Sequence, residues 1–159
     1  MAARKRALDL FELIVDDERA HIAFKRARDS EAHEGARQMM NELFCRMGDY
    51  DGNFVKDFQL DGFHSRLFEL ACYAYLESHG FEIERSQRSP DFMVSCGGDR
   101  IAIEAVTSNP FAGRSVDISV LKIEQISMDE LVDKCQNEFP IRIAGALLSK
   151  LQKRYWDLP

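Results

Sequence analysis

The dipeptide Gly97-Gly98 constrains this chain more than any other pair of residues, because two adjacent glycines between β-rich runs favour one local answer, a tight hairpin. The runs are Asp91 to Ser95 and Arg100 to Val106, inside the stretch SPDFMVSCGGDRIAIEAVTS that extends from Ser89 to Ser108. With the two glycines at the turn, paired residues have numbers of constant sum, so Phe92 faces Ile103 and Val94 faces Ile101 on an apolar face. The same register sets Asp91 across from Glu104 on the other face, where opposed side chains sit about 4.5–5.5 Å apart. Two carboxylates so placed repel, and a hard divalent cation such as Mg²⁺ or Mn²⁺ would offset that repulsion. The register leaves a plainer alternative open: Asp91 as a turn residue after Pro90, and Glu104 in solvent.

The segment before the hairpin reads as helix then strand. SRLFELACYAYLESHG, residues 65 to 80, is compatible with helix throughout, with Ser65 to cap it and Gly80 to end it. Between Leu67 and Leu76 its one charged residue is Glu69, whose helical neighbours Cys72, Tyr73 and Leu76 are largely apolar. A lone charge there is costly, so Glu69 calls for a metal or a nearby cation, with Arg66 one turn before it as the local option. Phe81-Glu82-Ile83-Glu84-Arg85 then alternates as a first strand.

Pro90-Asp91, a turn, then Glu104 near the end of an apolar strand, in the order helix, strand, hairpin, resembles the PD-(D/E)XK nuclease superfamily over roughly residues 58 to 108. The resemblance implies an α/β restriction-endonuclease-like core, with a helix, a three-strand mixed sheet containing the hairpin, and further helices. A helical N-terminal region, 1–55, would precede this core, 56–159. The implied activity is Mg²⁺-dependent (or Mn²⁺-dependent) hydrolysis of phosphodiester bonds in DNA. Asp91, Glu104 and the carbonyl of Ala105 would hold the metal, with Glu69 joining directly or through water. The lysine of the family triplet is replaced, since the triplet here is Glu104-Ala105-Val106. Some members supply that lysine from a helix elsewhere, and Lys150 is the first candidate, Lys153 the second. The catalytic set implied is therefore Glu69, Asp91, Glu104 and Lys150. A catalytically inactive member serving as a nucleic-acid or protein-binding module is the alternative, and an unrelated helical-plus-hairpin interaction protein is a third. Such cores add a strand after their last helix, whereas this sequence stops at Trp156-Asp157-Leu158-Pro159. The expectation is a core truncated at its C-terminus, or a sheet completed by a second chain, as in a homodimer.

Charge bears on the choice. Net charge is −6, awkward for an enzyme whose substrate is polyanionic. The excess acid lies in the middle third, however, and the first thirty and last sixty residues are close to balance. The four cysteines, Cys45, Cys72, Cys96 and Cys135, show no CxxC spacing, which argues against zinc and against a disulfide framework. No apolar run reaches membrane-span length and no signal peptide follows Arg4-Lys5-Arg6, so the expected location is cytoplasmic, with no membrane partner. The four histidines are dispersed; His64 alone lies near the proposed site, as a helix-start residue.

The remainder reads as helices. One or two short amphipathic helices are expected in 7–29, and another over Glu31 to Met47. Asp49, Asp51 and Asn53 imitate a calcium loop, but Phe54 stands where its glycine belongs, so 48–53 reads as a turn. Residues 111–126 carry weak periodicity. Ser127-Met128-Asp129-Glu130 has a capping-box pattern opening a helix that ends near Asn137, before Pro140, and a last helix runs from Ile143 to about Tyr155.

Overall fold

The structure, a computed structural model, describes residues 9–85, 89–107 and 127–155. It is a mixed helix-and-strand protein whose described residues fall into two compact units, one up to Ala105 and one from Val106 onward.

The first unit is built on four helices and a small sheet. Helix α1 (Ile22–Asp29) starts at His21, whose ring Nδ1 accepts the Ala23 N–H and so caps it. Helix α2 (Glu34–Met47) ends at Gly48. The turn expected at 48–53 follows, tied by Asp51 Oδ1 accepting the Asn53 N–H. A short helix α3 (Phe54–Gln59), which no periodicity announces, then leads through a tight link to α4 (Phe63–Ser78). A Cβ on Gly62 would lie 2.9 Å from the Asp57 carbonyl oxygen, so glycine is what lets α3 and α4 approach here. Helix α4 therefore begins two residues before the expected cap at Ser65. Its C-terminus is a Schellman motif: Gly80, at φ +75°, donates to Glu77 O and Phe81 donates to Leu76 O.

Strands β1 (Glu82–Glu84), β2 (Phe92–Cys96) and β3 (Asp99–Ile103) form a three-stranded sheet in the order β1-β2-β3. Both pairings are antiparallel, which corrects the mixed sheet expected from the sequence. The link between β1 and β2 is too short for the crossover a parallel pair requires. The hairpin register is the one read from the glycines: Phe92 pairs with Ile103, Val94 with Ile101, and Cys96 closes on Asp99. Gly97 and Gly98 have φ +61° and +97°, the double-positive combination of a type I′ turn.

The four helices and the sheet share one core. Phe24, Phe44, Phe54, Phe58 and Phe92 are fully buried, and the rings of the first four meet in stacked and edge-on pairs. Residues on both sides of position 55 thus contribute to the same apolar cluster. Gln59 is also fully buried; its amide donates to the carbonyls of Leu10 and Glu12 and accepts the Ile14 N–H, pinning the 10–14 segment onto α3.

The second unit contains a continuous helical run: α5 (Met128–Asp133), a π-helical turn (Lys134–Glu138) and α6 (Phe139–Leu151). Ser127 caps it by accepting the Glu130 N–H, as the capping-box pattern requires. The run does not stop before Pro140. Proline lacks an N–H and crowds the carbonyl four residues back, and the π turn widens the helix just ahead of it, so the chain passes through without breaking. The weakly periodic residues 111–126 and the loop residues Ser108, Asn109 and Pro110 lie outside the described residues. So do residues 7 and 8 of the first expected helical segment and the terminal Trp156 to Pro159.

Candidate metal centre and its charge network

Asp91 follows a cis Ser89-Pro90 peptide and stands one residue before β2, while Glu104 stands one residue after β3. The strand register continues outward to bring their carboxyl groups within hydrogen-bonding reach. Asp91 Oδ2 accepts the Ala105 N–H at 2.8 Å, and Glu104 Oε1 accepts the Ser89 hydroxyl at 3.0 Å. Burial, reinforced by the facing Glu104, pushes the Asp91 carboxyl up to about 6, against the lowering effect of the Ala105 N–H. A hydrogen bond between two carboxyl groups needs a proton on one of them. A divalent cation supplies the same compensation in another form.

Glu69 lies near enough that its charge also disfavours ionisation of Asp91. It is buried at 4 % exposure, on the core side of α4. Its compensation comes from two arginines: Arg66 Nη1 donates to Oε2 at 2.9 Å and Arg85 Nη2 donates to Oε1 at 2.5 Å. Arg66 reaches further, to Asp57 Oδ2 at 2.7 Å and Asp51 Oδ2 at 3.0 Å. Burial works against the Arg66 charge, but the three carboxylates outweigh it and raise the guanidinium pKa. The 48–53 turn therefore serves as an anchor for Arg66, which sits over the Phe54 ring.

Arg85 joins this network to the carboxylate pair. Its Nε donates to the main-chain carbonyl of Asp91 at 3.2 Å, and its guanidinium lies over the rings of Phe92 and Tyr50. Sequence reasoning places Arg85 only as the end of a strand. Its partners lie 6 to 37 residues away in the chain, so no local pattern marks it.

Glu69, Asp91, Glu104 and Ala105 are thus gathered in the first unit, at the end of the sheet beside α4. Lys150 stands in the last turn of α6 in the second unit, and Lys153 just beyond that helix. Asp91 and Glu104 fit a hard cation: both donors are carboxylate oxygens, they face one another, and each disfavours a second negative charge beside it. Glu69 fits less directly, since both of its oxygens already accept from guanidinium groups. Among the described residues no group of three or more His, Cys, Asp or Glu side chains is arranged to hold a metal ion, so the carboxylate donor set here is a pair. Cys72 of α4 is close by, and burial together with the Asp91 and Glu69 charges raises its thiol pKa, which keeps it protonated and a poor ligand.

Comparison of the chain with family models, with curated proteins and with solved structures returned no match.

Proposed function

We propose that this chain is a divalent-metal-dependent phosphodiesterase acting on DNA, built on a restriction-endonuclease-like core. The observation that carries the reading is the carboxylate pair Asp91–Glu104, held face to face beside two adjacent strands by Ala105 and Ser89, with burial and the facing carboxyl disfavouring ionisation of Asp91. Asp91 and Glu104 would hold Mg²⁺ or Mn²⁺, with the Ala105 carbonyl as a further oxygen donor. A bound divalent ion supplies a lowered pKa for attacking water and neutralises charge on the phosphoryl oxygens.

The chain's own residues have separable tasks. Ser89 and the Ala105 N–H orient the two carboxylates before any cation arrives. Glu69 holds Arg85, and Arg85 holds the Asp91 main chain, so the helix fixes the position of the pair from behind. Val106 supplies no cation at the family's lysine position, and the candidate expected from the sequence for that task, Lys150, belongs to the second unit.

A specific observation favours a second reading. Glu69 is fully engaged by arginines and the triplet lysine is absent, a combination expected of an inactive member that keeps the fold as a nucleic-acid or protein-binding module. Cleavage of supercoiled plasmid by the purified chain with Mg²⁺, Mn²⁺ or EDTA, beside Glu104→Gln and Lys150→Ala, separates the two. Metal-dependent nicking that disappears in Glu104→Gln supports the enzyme. Equal inactivity of folded wild type and variants, with DNA retained in a gel-shift assay, supports the module.

A further inference from the structure

We propose that the helical run Met128–Leu151 is a self-association surface, on which a second copy of this chain packs antiparallel about a two-fold axis. The inference does not depend on the nuclease reading, although it shares Lys150 with it, and its readout is molar mass rather than activity.

None of the described residues from 127 to 155 is buried. Yet α6 is strongly apolar: Phe139, Ile143, Leu147 and Leu151 follow one another at intervals of four, with Ala144 and Leu148 on the adjoining row. Leu147, Leu148 and Leu151 are 55 %, 58 % and 59 % exposed, and Met128, Leu131 and Val132 extend the apolar surface through α5 at 72 %, 41 % and 44 %. At about 1.5 Å per residue the run is roughly 36 Å long, ample for a helix–helix interface.

The charge distribution selects the occupant and its direction. Residues 127–138 carry four acidic side chains, Asp129, Glu130, Asp133 and Glu138, against one lysine, Lys134. Residues 139–155 carry four cations, Arg142, Lys150, Lys153 and Arg154, and no acid. Two copies in parallel would set acid against acid and base against base. Two copies antiparallel bring the acidic end of each against the basic end of the other. A closed two-fold contact is also self-complementary, so every favourable pair occurs twice.

The fully overlapped register supports the same arrangement. Aligning Met128 with the partner's Leu151 sets Leu131 near the partner's Leu148, Val132 near the partner's Leu147, and Cys135 near the partner's Ala144. Asp129 then faces the partner's Lys150. Large apolar residues meet at both ends, small ones lie between, and Phe139 falls at the axis.

The test is the molar mass of the full chain in solution, by sedimentation velocity from 1 to 100 µM, for wild type and three charge variants. Wild type is expected to sediment as a dimer, twice the 18.3 kDa of one chain, at the upper concentrations. Asp129→Lys with Asp133→Lys turns the net charge of 127–134 from −2 to +2, like its partner's end, and Lys150→Glu with Lys153→Glu turns that of 147–155 from +3 to −1. Each pair is expected to weaken dimerisation by about tenfold or more. The variant carrying all four substitutions restores opposite ends and should return to within about threefold of wild type. These positions are at the helix surface, and circular dichroism confirms that each variant keeps its fold. A wild type that stays monomeric at 100 µM overturns the proposal, as it would if the run were covered by its own chain. So does a dimer indifferent to the single-end reversals, or a four-fold variant no better than either pair.

Discussion

Replacing Asp91 by Asn should stabilise the folded protein at neutral pH while abolishing its response to Mg²⁺. In the folded state the Asp91 carboxyl is raised from its ordinary 3.8 to about 6, which is about two units, each worth about 1.4 kcal/mol. Ionising Asp91 opposite Glu104 therefore costs about 3 kcal/mol before solvent screening. Asp91 is half-buried, and screening reduces this to about 1–2 kcal/mol. The Asn side chain keeps an oxygen for the Ala105 N–H and gains an amide that can donate to Glu104, so the substitution removes the repulsion without orphaning a partner. Because the folded protein holds this proton more tightly than the unfolded chain, Asp91 contributes stability below about pH 4 that is lost as pH rises to about 6. Urea unfolding at pH 7.5 should then show Asp91→Asn more stable by about 1–2 kcal/mol, a rise in Tm of roughly 2–8 °C. At pH 4.5, where folded wild-type Asp91 is largely protonated but the unfolded chain is not, the gap should narrow to about a third, closing only below about pH 4. Addition of 10 mM Mg²⁺ at pH 7.5 should stabilise wild type by about 1.4 kcal/mol if its Kd is about 1 mM, and leave the variant unmoved. A variant less stable than wild type at pH 7.5, or a gap of the same size at both pH values, would refute the account of the pair.

Gln59→Leu keeps the volume of the side chain but strands the buried carbonyls of Leu10 and Glu12 and the Ile14 N–H, and should cost about 2–4 kcal/mol in urea unfolding; a loss under about 0.5 kcal/mol would remove Gln59 from its clamping role. Glu69→Gln leaves Arg66 and Arg85 short of a buried counter-charge and should destabilise by about 2–3 kcal/mol, less than a wholly isolated pair because both arginines keep other partners; calorimetry of the variant checks the figure. Burial and the neighbouring His64 charge depress the His21 pKa against a smaller opposing pull from Asp61, so the folded state resists its protonation and stability attributable to it declines as pH falls below about 6.5. His21→Asn, which retains a capping oxygen for α1, should remove that component when wild-type and variant unfolding curves are compared between pH 7.5 and 5.5; superimposable pH dependences would count against it.

Where the sequence succeeded, the deciding interactions were local. The Gly97-Gly98 turn sets the register of β2 and β3 over the twelve contiguous positions 92–103, since both glycines accept positive φ and any slip would move Phe92 and Val94 off the core. The helix that carries Glu69 was legible for the same reason, as an unbroken run of helix formers ended by a glycine. Its exact start was not, because the residue that fixes it, Gly62, answers to the backbone of Asp57 in a helix the pattern did not reveal. By the ordinary steric rule Pro140 is a helix stop. The π turn evades that rule by changing the hydrogen-bond spacing ahead of it.

The candidate site divides along the same line. Asp91 opposite Glu104 follows from the turn and from alternation, so the sequence alone determines that two carboxylates meet. How each charge in the neighbourhood is balanced depends on residues distant in the chain. Glu69 announces a need for compensation, but only the packing of α4 against β1 and the 48–53 turn brings Arg85 to it and gives Arg66 the Asp51 and Asp57 carboxylates. Gln59, fully buried, is likewise silent in the sequence, since its three partners lie 45 to 49 residues earlier. Periodicity and turn chemistry act over a few residues and can be read from order alone; desolvation and ion pairing act through space, and the tertiary fold alone decides which distant groups share it.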